Sequence, residues 1–168
     1  MLVGQIIRLL QMLALAALQI LVLNHIHLFG LATPMVSVAF LLYFPFDASR
    51  TGTLLWAFAL GLIVDTFSNT PGMTAAAMTF TAFLQPLLLD MMAPRDAADN
   101  MQPTYTTMGT WAHFRYIVFL VLVEHAVFFL LESFSFWHPL ELLLSYVCSA
   151  ALSILLIATL ETLRGKTS

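Results

Sequence analysis

Leu54-Leu55-Trp56-Ala57-Phe58-Ala59-Leu60-Gly61-Leu62-Ile63-Val64-Asp65 is an apolar run that ends in a carboxylate. Past Pro71-Gly72, a second and alanine-rich apolar run extends from Met73 to Met92. Two apolar runs joined by a tight turn predict a helical hairpin within a membrane: the second has the roughly 20 residues that a crossing requires, and the first falls short of it. An acid at the end of such a run is costly, about 2.5–3.5 kcal/mol at a bilayer centre. Asp65 must therefore face protein, a water-filled cavity or the headgroup zone. Gly61 lies four residues earlier and shares its helix face, so another backbone can approach there. Gly72 follows Pro71 in a turn that calls for a positive φ.

The rest of the chain has the same character. Of its 168 residues 61% are hydrophobic and 9% charged, against about 25% charged in soluble domains. A soluble fold could not cover that much apolar surface, so the sequence predicts one integral membrane domain over residues 1–168. The N-terminal stretch 6–23 is broken by Arg8 and Gln11 and does not read as a signal peptide. The single cysteine, Cys148, excludes an internal disulfide and reads as a small hydrophobe in an apolar helix.

Six spans are expected, at 8–23, 28–46, 53–68, 73–92, 113–131 and 140–160. The second contains Pro34; a helix beginning there has about 13 residues and reaches about 20 Å. The third is also short, so a compact bundle with imperfectly spanning helices is expected. With six spans, all six basic residues fall on one side: Arg8, Arg50, Arg95, Arg115, Arg164 and Lys166. The positive-inside rule then places both termini in the cytoplasm. Residues 93–112 become a cytoplasmic loop between the fourth and fifth helices, and Asp65 lies toward the outer leaflet, about 18 Å from the inner start of its helix. Tyr43 and Trp111 mark the inner interface and Trp137 the outer one.

Few residues carry chemistry. Asp65 and Glu124 are the intramembrane acids, readable as a polar cluster within the bundle or as helix-packing groups whose hydrogen bonds average about 0.6 kcal/mol. His25, His27, Glu132, His138 and Glu141 share the outer side but lack the spacing of a zinc site. Glu124 and His125 are adjacent and point in different directions. Ser145, Ser149 and Ser153 recur every four residues and read as a small-residue packing stripe, with Ala75, Thr79 and Ala82 as a second seam. No serine has a recognisable His–acid arrangement. Neither a catalytic group, a metal site nor a cofactor box is predicted, and the basic residues are too scattered for nucleic acid. If Asp65 serves as a hydrogen-bonding group, Asp65→Asn is expected to be nearly silent and Asp65→Leu harmful.

Over residues 20–92 the chain resembles the rod shape-determining MreD family. The resemblance rests on Thr33-Pro34 opening an apolar helix that ends in Leu41-Leu42-Tyr43-Phe44-Pro45, on Arg50, on the 57–65 run, and on Ser68-Asn69-Thr70-Pro71-Gly72 before the alanine-rich helix. Met35 stands where many members carry a polar residue. Pro34, Gly61, Asp65 and Gly72 match the family pattern. The resemblance implies a bacterial inner-membrane, non-catalytic scaffold for cell elongation and lateral peptidoglycan synthesis. Its implied partners are MreC, the MreB filament, a SEDS glycosyltransferase, a class B penicillin-binding protein and membrane lipid. It further implies a fold like the S component of energy-coupling-factor transporters. The alternative expectation is a small-molecule-binding component of a vitamin-type transporter.

Overall fold

The computed structural model describes residues 2–23, 33–93, 101–134 and 139–166. Among them there is no strand. The helices are α1 (Leu2–Leu21), α2 (Arg50–Ser68), α3 (Met73–Met92), α4 (Tyr105–Met108), α5 (Thr110–Ser133) and α6 (Pro139–Lys166), with a 3-10 helix at Ser37–Tyr43 between α1 and α2. Five of these, all but α4 and the 3-10 helix, are long and apolar enough to cross a membrane. The expected third span is longer than its apolar core suggested, since α2 begins at Arg50. The fourth has the expected bounds. The 93–112 loop contains α4 and the start of α5; its residues 94–100 lie outside the described ones.

The expected second span differs most. Residues 28–32 lie outside the described residues, 33–36 have no regular structure, and helical turns begin only at Ser37. Seven 3-10 residues rise about 14 Å, too little to cross a bilayer about 30 Å thick. The cause is local. Pro34 disfavours the α conformation at Thr33, and the amides of Met35 and Val36, which would enter a helix, are instead bound by side chains of α6 and α1.

This segment forms the centre of the molecule. Val36, Ser37, Val38, Phe40, Leu41, Leu42 and Phe44 are all essentially inaccessible. Around them α3 packs between α2 and α5, α5 against α6, and α1 against α2 and the 3-10 helix. A segment apolar on every side is what burial within protein requires. Its path can be read from its ends. Pro34 and Val36 bond Gln19 near the end of α1, whereas the Phe44 ring lies 5.2 Å from the Arg8 guanidinium. Between Arg8 and Gln19 an α-helix rises about 16 Å, so residues 34–44 return along most of α1.

The hairpin predicted from 54–92 is present. Asn69 closes α2 in the left-handed conformation, φ 56°, and donates to the Asp65 carbonyl. Gly72 follows at φ 79°. Gly61 admits the first turn of α3: a β-carbon there would fall 2.4 Å from Ala75 Cα and 2.9 Å from the Thr74 carbonyl oxygen. Both are backbone atoms, so Gly61→Ala must separate α2 from α3. A destabilisation of about 1–3 kcal/mol is expected, read as a lower melting temperature in mild detergent. An unchanged melting temperature would contradict this packing.

Candidate functional site

Asp65 is buried and uses both carboxylate oxygens. Oδ1 accepts from the Thr70 hydroxyl at 2.8 Å and the Thr74 amide at 2.9 Å; Oδ2 accepts from the Ala75 amide at 2.9 Å. The last two are among the amides that a helix start leaves without intrahelical partners. Gly72, at the N-cap of α3, has no side chain to bind them. Asp65 therefore caps α3 from α2, and its charge lies at the positive end of the α3 dipole. The intramembrane acid expected from the sequence is a structural clamp, with Gly61 supplying the room and Thr70 a third bond.

A second polar group surrounds the irregular segment. Nothing in a hydrocarbon interior replaces a missing backbone hydrogen bond, so non-helical backbone at depth needs protein partners. The amide of Thr33 donates to Ser149 Oγ at 3.0 Å, and that of Met35 to Ser153 Oγ at 2.8 Å. Gln19 donates from Nε2 to the Pro34 carbonyl at 3.0 Å and accepts from the Val36 amide at 2.8 Å. Lower down, Gln85 Nε2 donates to the Leu41 carbonyl and Gln102 Nε2 to that of Tyr43. The serine stripe thus has a different role from the one expected. Ser149 and Ser153 are fully buried acceptors for backbone amides, whereas Ser145 is only half-buried. The second seam also divides: Ala82 faces the core, while Thr79 lines an outer groove.

Glu124 and His125, both on α5, extend this network. Ser37 Oγ donates to Glu124 Oε1 at 2.7 Å. His125 Nδ1 lies 2.9 Å from the Val121 carbonyl, which can only accept, so Nδ1 carries a proton. Nε2 then accepts from Ser153 Oγ at 3.1 Å, leaving that oxygen free to accept from Met35. Glu124 Oε2 is buried with no hydrogen-bond partner among the described residues and lies 3.8 Å from His125 Nδ1. The neighbouring side chains approach more closely than their spacing suggested, yet each holds a different element: Glu124 the 3-10 helix, His125 α6.

At the other end, the Arg164 guanidinium lies 4.5 Å over the Tyr43 ring and bonds Glu161 and Gln102. Glu161 Oε2 is 3.3 Å from Nε2 of buried His113. Burial, with Glu161 nearby, raises the Tyr105 phenol above its usual range. Arg8 and Arg164 therefore lie at one end of the bundle, as the sorting of basic residues required.

Among the described residues, no group of three or more His, Cys, Asp or Glu is placed to hold a metal. His25, His27, His138 and Trp137 lie outside them. Glu132 is half-buried on a cavity wall, Glu141 is exposed, and Cys148 is exposed on α6. Pro34 is buried and joined to Gln19. Gln19, Gln85 and Gln102 were not singled out in the sequence, although for Gln19 and Gln85 an amide within an apolar run signals a backbone in need of partners.

These elements define an all-helical protein with the spanning helices of a multi-pass membrane protein, whose internal polar groups hold an irregular central segment. No family model matches the chain, and no curated protein or solved structure is significantly similar to it.

Proposed function

We propose that the chain is a non-catalytic scaffold of the MreD kind in a bacterial inner membrane, which holds a single-span partner such as MreC for cell elongation and lateral peptidoglycan synthesis. On this reading the segment 33–44 is the protein-enclosed part of the second of six passes, both termini are cytoplasmic, and the bundle resembles a transporter S component. The MreB filament, the SEDS glycosyltransferase and the class B penicillin-binding protein are reached through the same complex. The supporting observation is an outward-facing groove of about 700 Å³ between α2 and α3. Its floor is of small residues, Gly72, Ala75, Ala76 and Thr79, and Phe58, Phe80 and Phe83 form its rims. Small residues admit a neighbouring helix closely, which drives association where lipid is as apolar as leucine. The groove follows α3 for about 16 Å, from Gly72 to Phe83, and suits a helix crossing alongside.

Ala76 is exposed in that groove, so Ala76→Trp fills it without disturbing the core. At least tenfold less MreC is expected to co-purify in mild detergent, with the scaffold at normal abundance. Undiminished recovery would place the partner elsewhere. Failure of the unmodified protein to retain MreC at all would remove the reading.

A further inference from the structure

A cavity of about 360 Å³ opens beside Asp65, between the end of α1, the start of the irregular segment, the α2–α3 turn and α5. Gln19, Ser37, Thr70 and Glu132 give it polar walls, and Phe67 and Phe128 apolar ones. Cavities of this size hold small organic molecules. At Ser37 and Thr70 its hydrogen-bonding sense is set by bonds already described. A hydroxyl has one proton. Ser37 has donated its proton to Glu124, and Thr70 has donated its own to Asp65. Both oxygens therefore offer only lone pairs to the cavity. Glu132, whose ionised carboxylate only accepts, adds two more acceptor oxygens, and among the described lining residues there is no Lys or Arg. One hydrogen bond behind Ser37 lies the buried Glu124 carboxyl, outside the cavity wall.

We infer that this cavity binds an organic ammonium: a small cation with N–H donors at one end and an apolar body at the other. The donors meet Ser37, Thr70 and Glu132, while the body lies between Phe67 and Phe128. Anions of the same shape are disfavoured, because the one charged side chain among the described lining residues is the Glu132 carboxylate. The site is separate from the α2–α3 groove, so either can fail alone.

Binding of tritiated tryptamine to the full chain in lipid nanodiscs tests this, with empty discs as background. Saturable binding at one site per chain is expected, uncompeted by indole-3-propionate, which carries the same ring with the opposite charge. Glu132→Gln, at unchanged melting temperature, is expected to weaken binding at least tenfold. Ile20→Trp, which fills the cavity from its wall, is expected to abolish it. Glu141→Gln, at an exposed acid outside the cavity, should leave binding unchanged. No saturable binding at millimolar tryptamine would overturn the proposal. So would equal competition by the anion, or full affinity in both Glu132→Gln and Ile20→Trp.

Discussion

Asp65→Leu is expected to destabilise the protein by about 3–6 kcal/mol. Two backbone amides, of Thr74 and Ala75, lose their acceptor in a buried corner, at about 1–3 kcal/mol each. A favourable charge at the α3 N-terminus is lost as well, about 0.3–1 kcal/mol. The Thr70 hydroxyl must also find another partner. Asp65→Asn is expected to be milder but not silent. The sequence suggested that asparagine would be nearly silent here if Asp65 serves as a hydrogen-bonding group. Both carboxylate oxygens accept, however, and an amide has one such oxygen. Its NH2 group would confront either the Ala75 amide or the two donors on Oδ1, at a cost of about 1–3 kcal/mol. Unfolding in mild detergent should rank wild type above Asn, and Asn above Leu. Equal stability of wild type and Leu would show that Asp65 does not cap α3.

Gln19→Leu should have an effect of similar size, about 2–6 kcal/mol, because it orphans both the Pro34 carbonyl and the Val36 amide. Glutamate distinguishes the two bonds. Gln19→Glu can still accept from Val36 but, when ionised, cannot donate to Pro34, so it should fall between the two. The comparison is read from melting temperatures at equal detergent concentration. A leucine variant as stable as wild type would mean that the segment does not depend on α1.

The α2–α3 hairpin was legible because its signals are local. Two apolar runs, Pro71-Gly72 between them, and Gly61 on the face of Asp65 predict two helices in close approach, and the bounds of α3 agree. The use of Asp65 as a cap required knowing that Gly72 occupies the α3 N-cap with no side chain to offer. The α-helix expected within the second span was misread for a physical reason. Hydropathy reports how apolar a segment is, not whether lipid or protein surrounds it, and 36–44 is apolar because five helices enclose it. Ser149 and Ser153 were read as packing residues because serine at a four-residue spacing looks the same whether it admits a helix or bonds a backbone. Their partners, the amides of Thr33 and Met35, are more than a hundred residues away in sequence. Gln19 and Gln85 were the overlooked signal. Each is a buried amide in an apolar helix, and each bonds the backbone of the segment beginning at Pro34. The α4 turn was similarly hidden, although Thr104 and Thr107 cap each other's amides within four residues.

The central claim is that the polar side chains within the bundle hold the central segment and its irregular start in place. Amide hydrogen exchange of the protein in nanodiscs tests it most directly, residue by residue at Thr33, Met35 and Val36. The account predicts exchange as slow as in α3 for the wild type. In Gln19→Leu it predicts at least tenfold faster exchange at Val36, with α3 unchanged. Rapid exchange of these amides in the wild type, or identical rates in the variant, would contradict it.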